Sequence, residues 1–255
     1  MAEAAPPPGA RRARALQRTA AQARALWPVR LMPTTRAGAR QVARLLAADH
    51  AEAARAYAAA GSDPPRPLHA DRVWRPAPWC APVRGLDGAA PSPGAEVAAD
   101  TRLFHDLPDE ARPGARLRVA ATADGPGPAG LMLEWRGFGA RFLSLAIDLP
   151  AAACDGLGAD HLIVAHLVLG LPPGVPANLR LNVVSGPNVV ARAVRLRPPS
   201  GPGGGALVAV FDMIDVAPPR GVDRMWCDLV LSHLPDAGTV RIADLSMARR
   251  PRARV

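Results

Sequence analysis

Six aspartates lie near the ends of predicted strands, and their carboxyl groups are the first candidates for chemistry in this chain. They are Asp148, Asp160, Asp212, Asp215, Asp228 and Asp244. Two carboxyl groups held about 5–9 Å apart would form the acid pair of a glycoside hydrolase. Acids near strand ends also suit a structural calcium ion, but the chain has no EF-hand loop. Because the spacing singles out no pair, the sequence predicts no specific catalytic residue.

Histidine, cysteine and lysine usage excludes several other kinds of site. His161 and His166 are five residues apart, which places them on opposite faces of a strand rather than around one metal ion. Cys80, Cys154 and Cys227 are widely spaced and form no CxxC motif. The chain contains no lysine, so it has no P-loop lysine and no Schiff-base amine. The sequence therefore predicts neither a cofactor nor a metal site.

Aromatic, amide and guanidinium side chains suggest binding rather than catalysis. A sugar stacks its apolar face on an aromatic ring while its hydroxyl groups form hydrogen bonds. The residues that we predict to form such a binding face are Trp135, Arg180, Asn182, Asn188 and Trp226. The alternative is that both tryptophans fill the core, because the chain has only ten aromatic residues.

The net charge of +9 is concentrated at the two ends of the chain. Residues 1–60 carry ten arginines against three acids, and residues 249–254 carry four arginines, so the remainder is slightly acidic. A basic end attracts an acidic partner or an anionic membrane surface, or is simply a solvated surface. Nucleic acid is disfavoured, because a stacking platform for bases usually has a basic groove. The predicted docking residues are Arg11, Arg12, Arg14, Arg18 and Arg24.

The elements that would position these side chains are mostly short strands. From about residue 101 the sequence alternates with period two, giving eight or nine strands separated by Pro/Gly-rich loops. Residues 142–149 form the clearest amphipathic strand, whereas residues 161–169 are apolar on both faces, as in a central covered strand. Gly186, Pro187 and Asn188 predict a tight turn. The predicted fold is mainly β, an antiparallel jelly-roll-like β-sandwich preceded by a short Arg/Ala-rich helical region.

Composition divides the chain into four predicted regions. Residues 1–9 are predicted to be disordered, 10–61 to form the basic helical region, 62–100 a Pro-rich strap or linker, and 101–255 the sandwich. The two tryptophans of the strap, Trp74 and Trp79, are expected to anchor it to the core. There is no apolar run long enough for a membrane-spanning helix and no secretory signal, so we expect a cytoplasmic protein.

Several motifs over roughly residues 70–255 occur in a specific order. They are residues 74–79, 103–106, 142–150, 161–163, 180–183, 186–188, 226–229 and 242–253. Together they resemble a family of alphaproteobacterial proteins of the Rhodobacterales type that carry a domain of unknown function. The resemblance implies one continuous domain and a bacterial source, and it implies no activity.

These observations favour a non-catalytic binding module for a glycan-like or protein ligand, with the basic region docking to an acidic partner or membrane surface. Two alternatives remain open. One is a carbohydrate-active hydrolase or transferase that uses paired strand-end acids. The other is a structural subunit whose N-terminal helices pack on a partner protein.

Overall fold

The computed structural model describes residues 69–86, 91–107, 114–123, 125, 128–198, 204–216 and 221–252. The predicted regions 1–9 and 10–61 lie outside the described residues, as do the docking residues Arg11, Arg12, Arg14, Arg18 and Arg24. Within the described part of the chain, no helix has both the length and the apolar character needed to cross a membrane.

The described residues form twelve strands and a single turn of α-helix. The elements are β1 (Arg72–Trp74), α1 (Ala77–Cys80), β2 (Ala95–Ala98), β3 (Thr101–His105), β4 (Arg116–Thr122), β5 (Gly130–Arg136), β6 (Phe142–Asp148), β7 (His161–Gly170), β8 (Ala177–Ser185), β9 (Asn188–Leu196), β10 (Gly205–Asp212), β11 (Arg224–Ser232) and β12 (Ala237–Pro251). Short 3-10 turns follow β6 and β10.

The strands build two antiparallel sheets, and this confirms the predicted mainly β sandwich. The front sheet has the order β2-β3-β6-β11-β8-β9. The back sheet has the order β10-β7-β12-β5-β4, and β1 also pairs with β12. From β5 to β8 the chain changes sheet at every strand, so most neighbours within a sheet are distant in sequence.

The core lies between the sheets and follows from the alternation of residues along each strand. Odd-numbered residues of β6 and β11, such as Leu145 and Leu229, face inward and are almost fully buried. Odd-numbered residues of β7, such as Leu167, do the same from the back sheet. The sheets are in contact, since the Sγ of Cys227 on β11 lies 3.9 Å from the Sδ of Met247 on β12. Each fully buried leucine contributes about 1.5–3 kcal/mol.

The Pro-rich segment 62–100 takes part in the fold through its described residues. It contributes β1 to the back sheet, β2 to the front sheet, and α1 between them in sequence. Trp79 of α1 is fully buried, and its Nε1 donates a hydrogen bond of 2.9 Å to the carbonyl of Ile242 on β12. This tryptophan therefore anchors the segment to the core. The sequence did not reveal these two strands because they are only three and four residues long, too short for period-two alternation to stand out in a Pro-rich segment.

The predicted tight turn connects β8 to β9. Ser185 and Asn188 are paired across the hairpin, so Gly186 and Pro187 form the two-residue connection. Gly186 has a φ of 53°, in the left-handed region that glycine adopts without a steric penalty. The Gly186 N–H also donates a 2.6 Å hydrogen bond to the Asp223 carboxylate, which holds the hairpin to the segment before β11.

Candidate functional site

A groove of about 680 Å³ crosses the outer face of the front sheet. Its residues come from four neighbouring strands, β3, β6, β11 and β8. They are Arg102, Phe104, Phe142, Ser144, Ala146, Asp148, Arg180, Arg224, Trp226, Asp228 and Val230. All have even numbers, because period-two alternation directs the odd-numbered residues of the same strands into the core. Amphipathic strands thus produce both the core and the groove.

Trp226 occupies the middle of the polar part of this groove. It is partly buried and lies directly opposite Asp148 on β6 and Asn182 on β8. The next outward residues of its own strand are Arg224 and Asp228. The Cζ of Arg224 lies 5.5 Å from the centroid of the Trp226 ring, in a cation–π arrangement. The indole is therefore surrounded by polar groups on its own strand and on both neighbouring strands.

Asp228 lies deep in the groove and holds two polar side chains of β8 in place. Its Oδ2 accepts hydrogen bonds from Nε and Nη2 of Arg180, at 3.0 and 2.8 Å, and from Nδ2 of Asn182, at 2.7 Å. The Asp228 residue is 5% exposed. Its Oδ1 accepts no hydrogen bond from any other described residue, so one carboxylate oxygen remains available to a ligand.

A second carboxylate joins the two sides of the groove. The Oδ2 of Asp148 lies 3.3 Å from Nη1 of Arg102 on β3, and its Oδ1 lies 2.5 Å from Nη2 of Arg224 on β11. Asp148 on β6 is therefore shared by two arginines. Ion pairs at this level of exposure contribute at most about 1 kcal/mol each to stability, so their arrangement matters more for binding than for folding.

Apolar groups line the other end of the groove. Phe104 on β3 is 38% exposed. This exposure forgoes part of the stabilisation that burial of a large aromatic side chain would give. Phe142 on β6 is partly exposed, and Ser144 lies between these rings and the polar end. The Ser144 residue is 6% exposed, and its hydroxyl forms no hydrogen bond with another described residue. The groove floor thus contains a small hydroxyl group next to exposed aromatic surface.

The structure brings three of the five predicted binding residues together. Arg180, Asn182 and Trp226 are neighbours on β8 and β11, where Arg180 and Trp226 line the groove and Asn182, 4% exposed, binds the groove residue Asp228. Asn188 lies away from them, exposed beside the β8–β9 turn. Trp135 differs from the expectation, since it lies on β5 of the back sheet and faces the core with 3% exposure. Its ring packs over Gly238 of β12, and its Nε1 donates to the Pro235 carbonyl at 2.9 Å.

Several groove residues were missed by the sequence reasoning. They are Arg102, Phe104, Phe142, Ser144 and Arg224, together with the acids Asp148 and Asp228, which had been grouped only as strand-end carboxylates. The signal for Phe142, Ser144 and Asp148 was present, because they form the outer side of the clearest amphipathic strand. Nothing in the sequence indicates that β3, β6, β11 and β8 are neighbours.

The histidines of the described residues do not converge on a common site. His105 faces the Pro91 carbonyl through Nε2, at 2.6 Å, and its Nδ1 accepts from the Leu107 N–H. The adjacent Asp106 binds Arg141 instead, so these two residues form no dyad. In the described part of the chain, no three His, Cys, Asp or Glu side chains are grouped so that they could hold a metal ion.

Comparison with protein families gives one match that covers nearly the whole chain. The model of a family of unknown function, DUF6478, matches residues 8–255. No curated protein matches the sequence.

Solved structures with a similar arrangement of strands share little sequence with this chain. The enzymatically active domain of tailspike protein 4 from bacteriophage CBA120 is 13% identical, with a TM-score of 0.42, over 60% of this chain and 19% of its own. A family 11 carbohydrate-binding module from Clostridium thermocellum, in complex with a β-1,3-1,4-mixed-linked tetrasaccharide, is 10% identical, with a TM-score of 0.36, over 68% of this chain and 99% of its own.

A cyclase from Fischerella sp. TAU is 14% identical, with a TM-score of 0.41, over 67% of this chain and 100% of its own. The chain thus spans about a fifth of the length of the tailspike domain and nearly all of the other two. Since these TM-scores are below 0.5, the likenesses carry no conclusion about what this chain binds.

Proposed function

The chain belongs to DUF6478, a family of unknown function, and we propose that it is a non-catalytic glycan-binding module whose ligand lies in the groove of the front sheet. The observation that carries this proposal is the position of Trp226, an indole on an open sheet face with hydrogen-bonding groups on every side. Binding to a carbohydrate needs both parts, because one face of a sugar ring is apolar and its edge carries hydroxyl groups.

Each polar group of the groove has a definite task in this proposal. The free Oδ1 of Asp228 accepts a hydrogen bond from a sugar hydroxyl. The Ser144 hydroxyl donates or accepts, and the unused N–H groups of the arginines donate. Arg180 and Asn182 hold Asp228 in position before the ligand arrives. Preorganisation of this kind raises affinity because fewer side chains must be ordered on binding.

Binding is favoured over catalysis by the state of the two groove acids. Asp148 and Asp228 are diagonal neighbours on β6 and β11, so they form the pair that a hydrolase would use. Both oxygens of Asp148 are occupied by arginines, and Asp228 uses one oxygen to hold two side chains. A glycosidase instead needs one carboxyl group free to transfer a proton and another free to attack or to activate water.

The test is a binding screen of the full-length chain on a broad glycan array, repeated with Trp226→Ala. We expect a saturable signal that soluble glycan competes away and that falls at least about tenfold in Trp226→Ala, because a stacking platform is a typical binding hot spot. The matched control is Ile214→Ala, which removes an apolar side chain that is 58% exposed and does not line the groove. This control should bind normally.

Two outcomes would contradict the proposal. Absence of any competable signal from folded protein would remove glycan binding and favour the structural-subunit alternative. Release of new reducing ends from a bound glycan, abolished by Asp148→Asn or Asp228→Asn, would instead establish the hydrolase. Docking of the basic N-terminal region to an acidic surface is a separate prediction, and this screen does not address it.

A further inference from the structure

The arginines of the groove give it a charge preference that the proposed function does not specify. The side chains of Arg102, Arg180 and Arg224 are 44%, 49% and 61% exposed, respectively. The two carboxylates that they contact are less accessible, at 32% for Asp148 and 7% for Asp228. A ligand that approaches this face therefore meets guanidinium groups at the surface and carboxylates beneath them.

The charges in the groove do not cancel. Three arginines share two carboxylates, since Asp148 serves both Arg102 and Arg224. The groove thus carries one excess positive charge, although residues 61–248 as a whole are slightly acidic. Among the described residues, Arg102 donates only through Nη1 and Arg224 only through Nη2. Each guanidinium therefore retains N–H donors, arranged in the fork that matches a carboxylate or an ester of sulfuric acid.

The position of Arg224 links this charge to the stacking platform. Its guanidinium lies over the Trp226 ring, so a sugar that stacks on that face must displace it. A neutral sugar would leave the displaced guanidinium with no new partner for the lost cation–π contact. An anionic sugar offers its negative group as a new partner for the displaced guanidinium, so the sugar can stack on the ring and pair with the arginine at the same time.

We propose, on the basis of the glycan-binding function proposed above, that the groove selects an acidic glycan whose anionic group pairs with Arg224 and Arg102 while a ring stacks on Trp226. The groove extends across four strands, which spans about 14 Å at the usual strand spacing. That width fits an oligosaccharide rather than a single sugar, and it places Arg180 on β8 within reach of a further residue of the ligand.

The experiment compares one glycan backbone with and without its charge. Binding of the full-length chain to oligogalacturonate is measured by calorimetry, beside the fully methyl-esterified form of the same oligosaccharide. We expect the acid to bind at least about tenfold more tightly than its ester, with an affinity that falls as ionic strength rises. A sulfated dextran and an unmodified dextran form a second pair, which distinguishes sulfate from carboxylate as the preferred anion.

Matched variants separate the groove from the basic ends of the chain. Arg224→Gln should lose about tenfold in affinity for the acid and little for the ester. The control is Arg118→Gln, which removes an arginine of similar exposure, 51%, paired with Glu134 on the back sheet. Arg118→Gln should bind like the native chain. Both substituted residues are exposed, so neither change threatens folding.

The outcomes distinguish a failure of this inference from a failure of the proposed function. Equal affinity for acid and ester, with both lost in Trp226→Ala, would keep the glycan-binding function and overturn the charge preference. If Arg224→Gln and Trp226→Ala bind the acid as tightly as the native chain, the acid binds to the basic ends of the chain and not to the groove. This result would also overturn the inference. No binding to any glycan, on the array or in solution, would overturn both proposals.

Discussion

The two sheets of the sandwich share one core but differ in their outer faces. At the centre of the back sheet, Ala248 and Ser246 of β12 lie opposite Val164 and His166 of β7, and all four are at most 6% exposed although they face away from the core. The equivalent face of the front sheet carries the groove, with Phe104 and Arg224 exposed. The centre of the back sheet is therefore buried on both sides, whereas the centre of the front sheet has a free face.

Tryptophans therefore have different roles inside the sandwich and on the free face of the front sheet. Trp79 and Trp135 have less than 4% exposure, and each donates its indole N–H to a backbone carbonyl. Trp226 on the front sheet instead carries a guanidinium over its ring. The difference teaches that residue type alone does not identify a binding residue here, because the direction in which the side chain points, into the core or onto the free face, decides between packing and recognition.

The sharpest test of this contrast makes the same substitution at a tryptophan in the core and at the tryptophan in the groove. Trp79→Ala should reduce the free energy of unfolding by about 3–5 kcal/mol, because it empties a fully buried site and leaves the Ile242 carbonyl without its donor. Trp226→Ala should change that free energy by no more than about 0.5 kcal/mol while abolishing glycan binding. Urea denaturation of both variants gives the two values. Similar losses of stability would show that Trp226 is a packing residue.

A second test adds volume instead of removing it. Ala248→Leu should destabilise the fold by about 1–3 kcal/mol, since the outer face of the back sheet has no room for the larger side chain. Ala146→Leu places the same side chain in the groove, where we expect almost no change in stability and a marked loss of affinity. Thermal melting measures the first effect and the glycan array the second. If Ala146→Leu binds as well as the native chain, the ligand does not occupy the groove.

The sequence reveals the difference between the covered and the free sheet face more clearly in some strands than in others. The residues of β6 alternate between large apolar and mostly small or polar side chains, whereas β7 is apolar on both faces apart from His161 and His166. These patterns predict an open face for β6 and a covered one for β7. The observed burial agrees with both predictions. The alternation also gave the antiparallel sandwich and most strand positions, because period two is a local property of the chain.

The groove itself was only partly predictable. Trp135 is in phase with Leu131 and Leu133, whereas Trp226 is in phase with Asp228, so the alternation does carry a signal that the first ring faces inward and the second outward. The groove unites β3, β6, β11 and β8, whose order depends on long-range pairing rather than on any local signal. Asp148 and Arg224 are 76 residues apart, yet their side chains form an ion pair.

Two Arg–Asp pairs beside the back sheet allow the finest test, because the pKa of one aspartate is lowered and the pKa of the other is raised. Hydrogen bonds from Arg249 on β12 lower the pKa of Asp71 from its ordinary value of 3.8. Desolvation raises the pKa of Asp244, also on β12, although Arg75 lies 3.2 Å away and opposes the shift. Asp71 therefore stabilises the fold when ionised, and Asp244 destabilises it when ionised.

The two acids should give opposite pH dependences of stability. Asp71 contributes stability above pH 3.8, which is lost as the pH falls through its lower pKa in the folded state. Asp244 behaves in the reverse way, since above pH 3.8 the unfolded chain releases this proton first and stability declines as the pH rises toward the folded-state pKa. The difference in free energy of unfolding between the native chain and Asp71→Asn should thus become smaller as the pH falls. The corresponding difference between the native chain and Asp244→Asn should become smaller as the pH rises. Urea denaturation between pH 3 and 7 measures both trends, and parallel trends would show that Arg75 outweighs burial at Asp244.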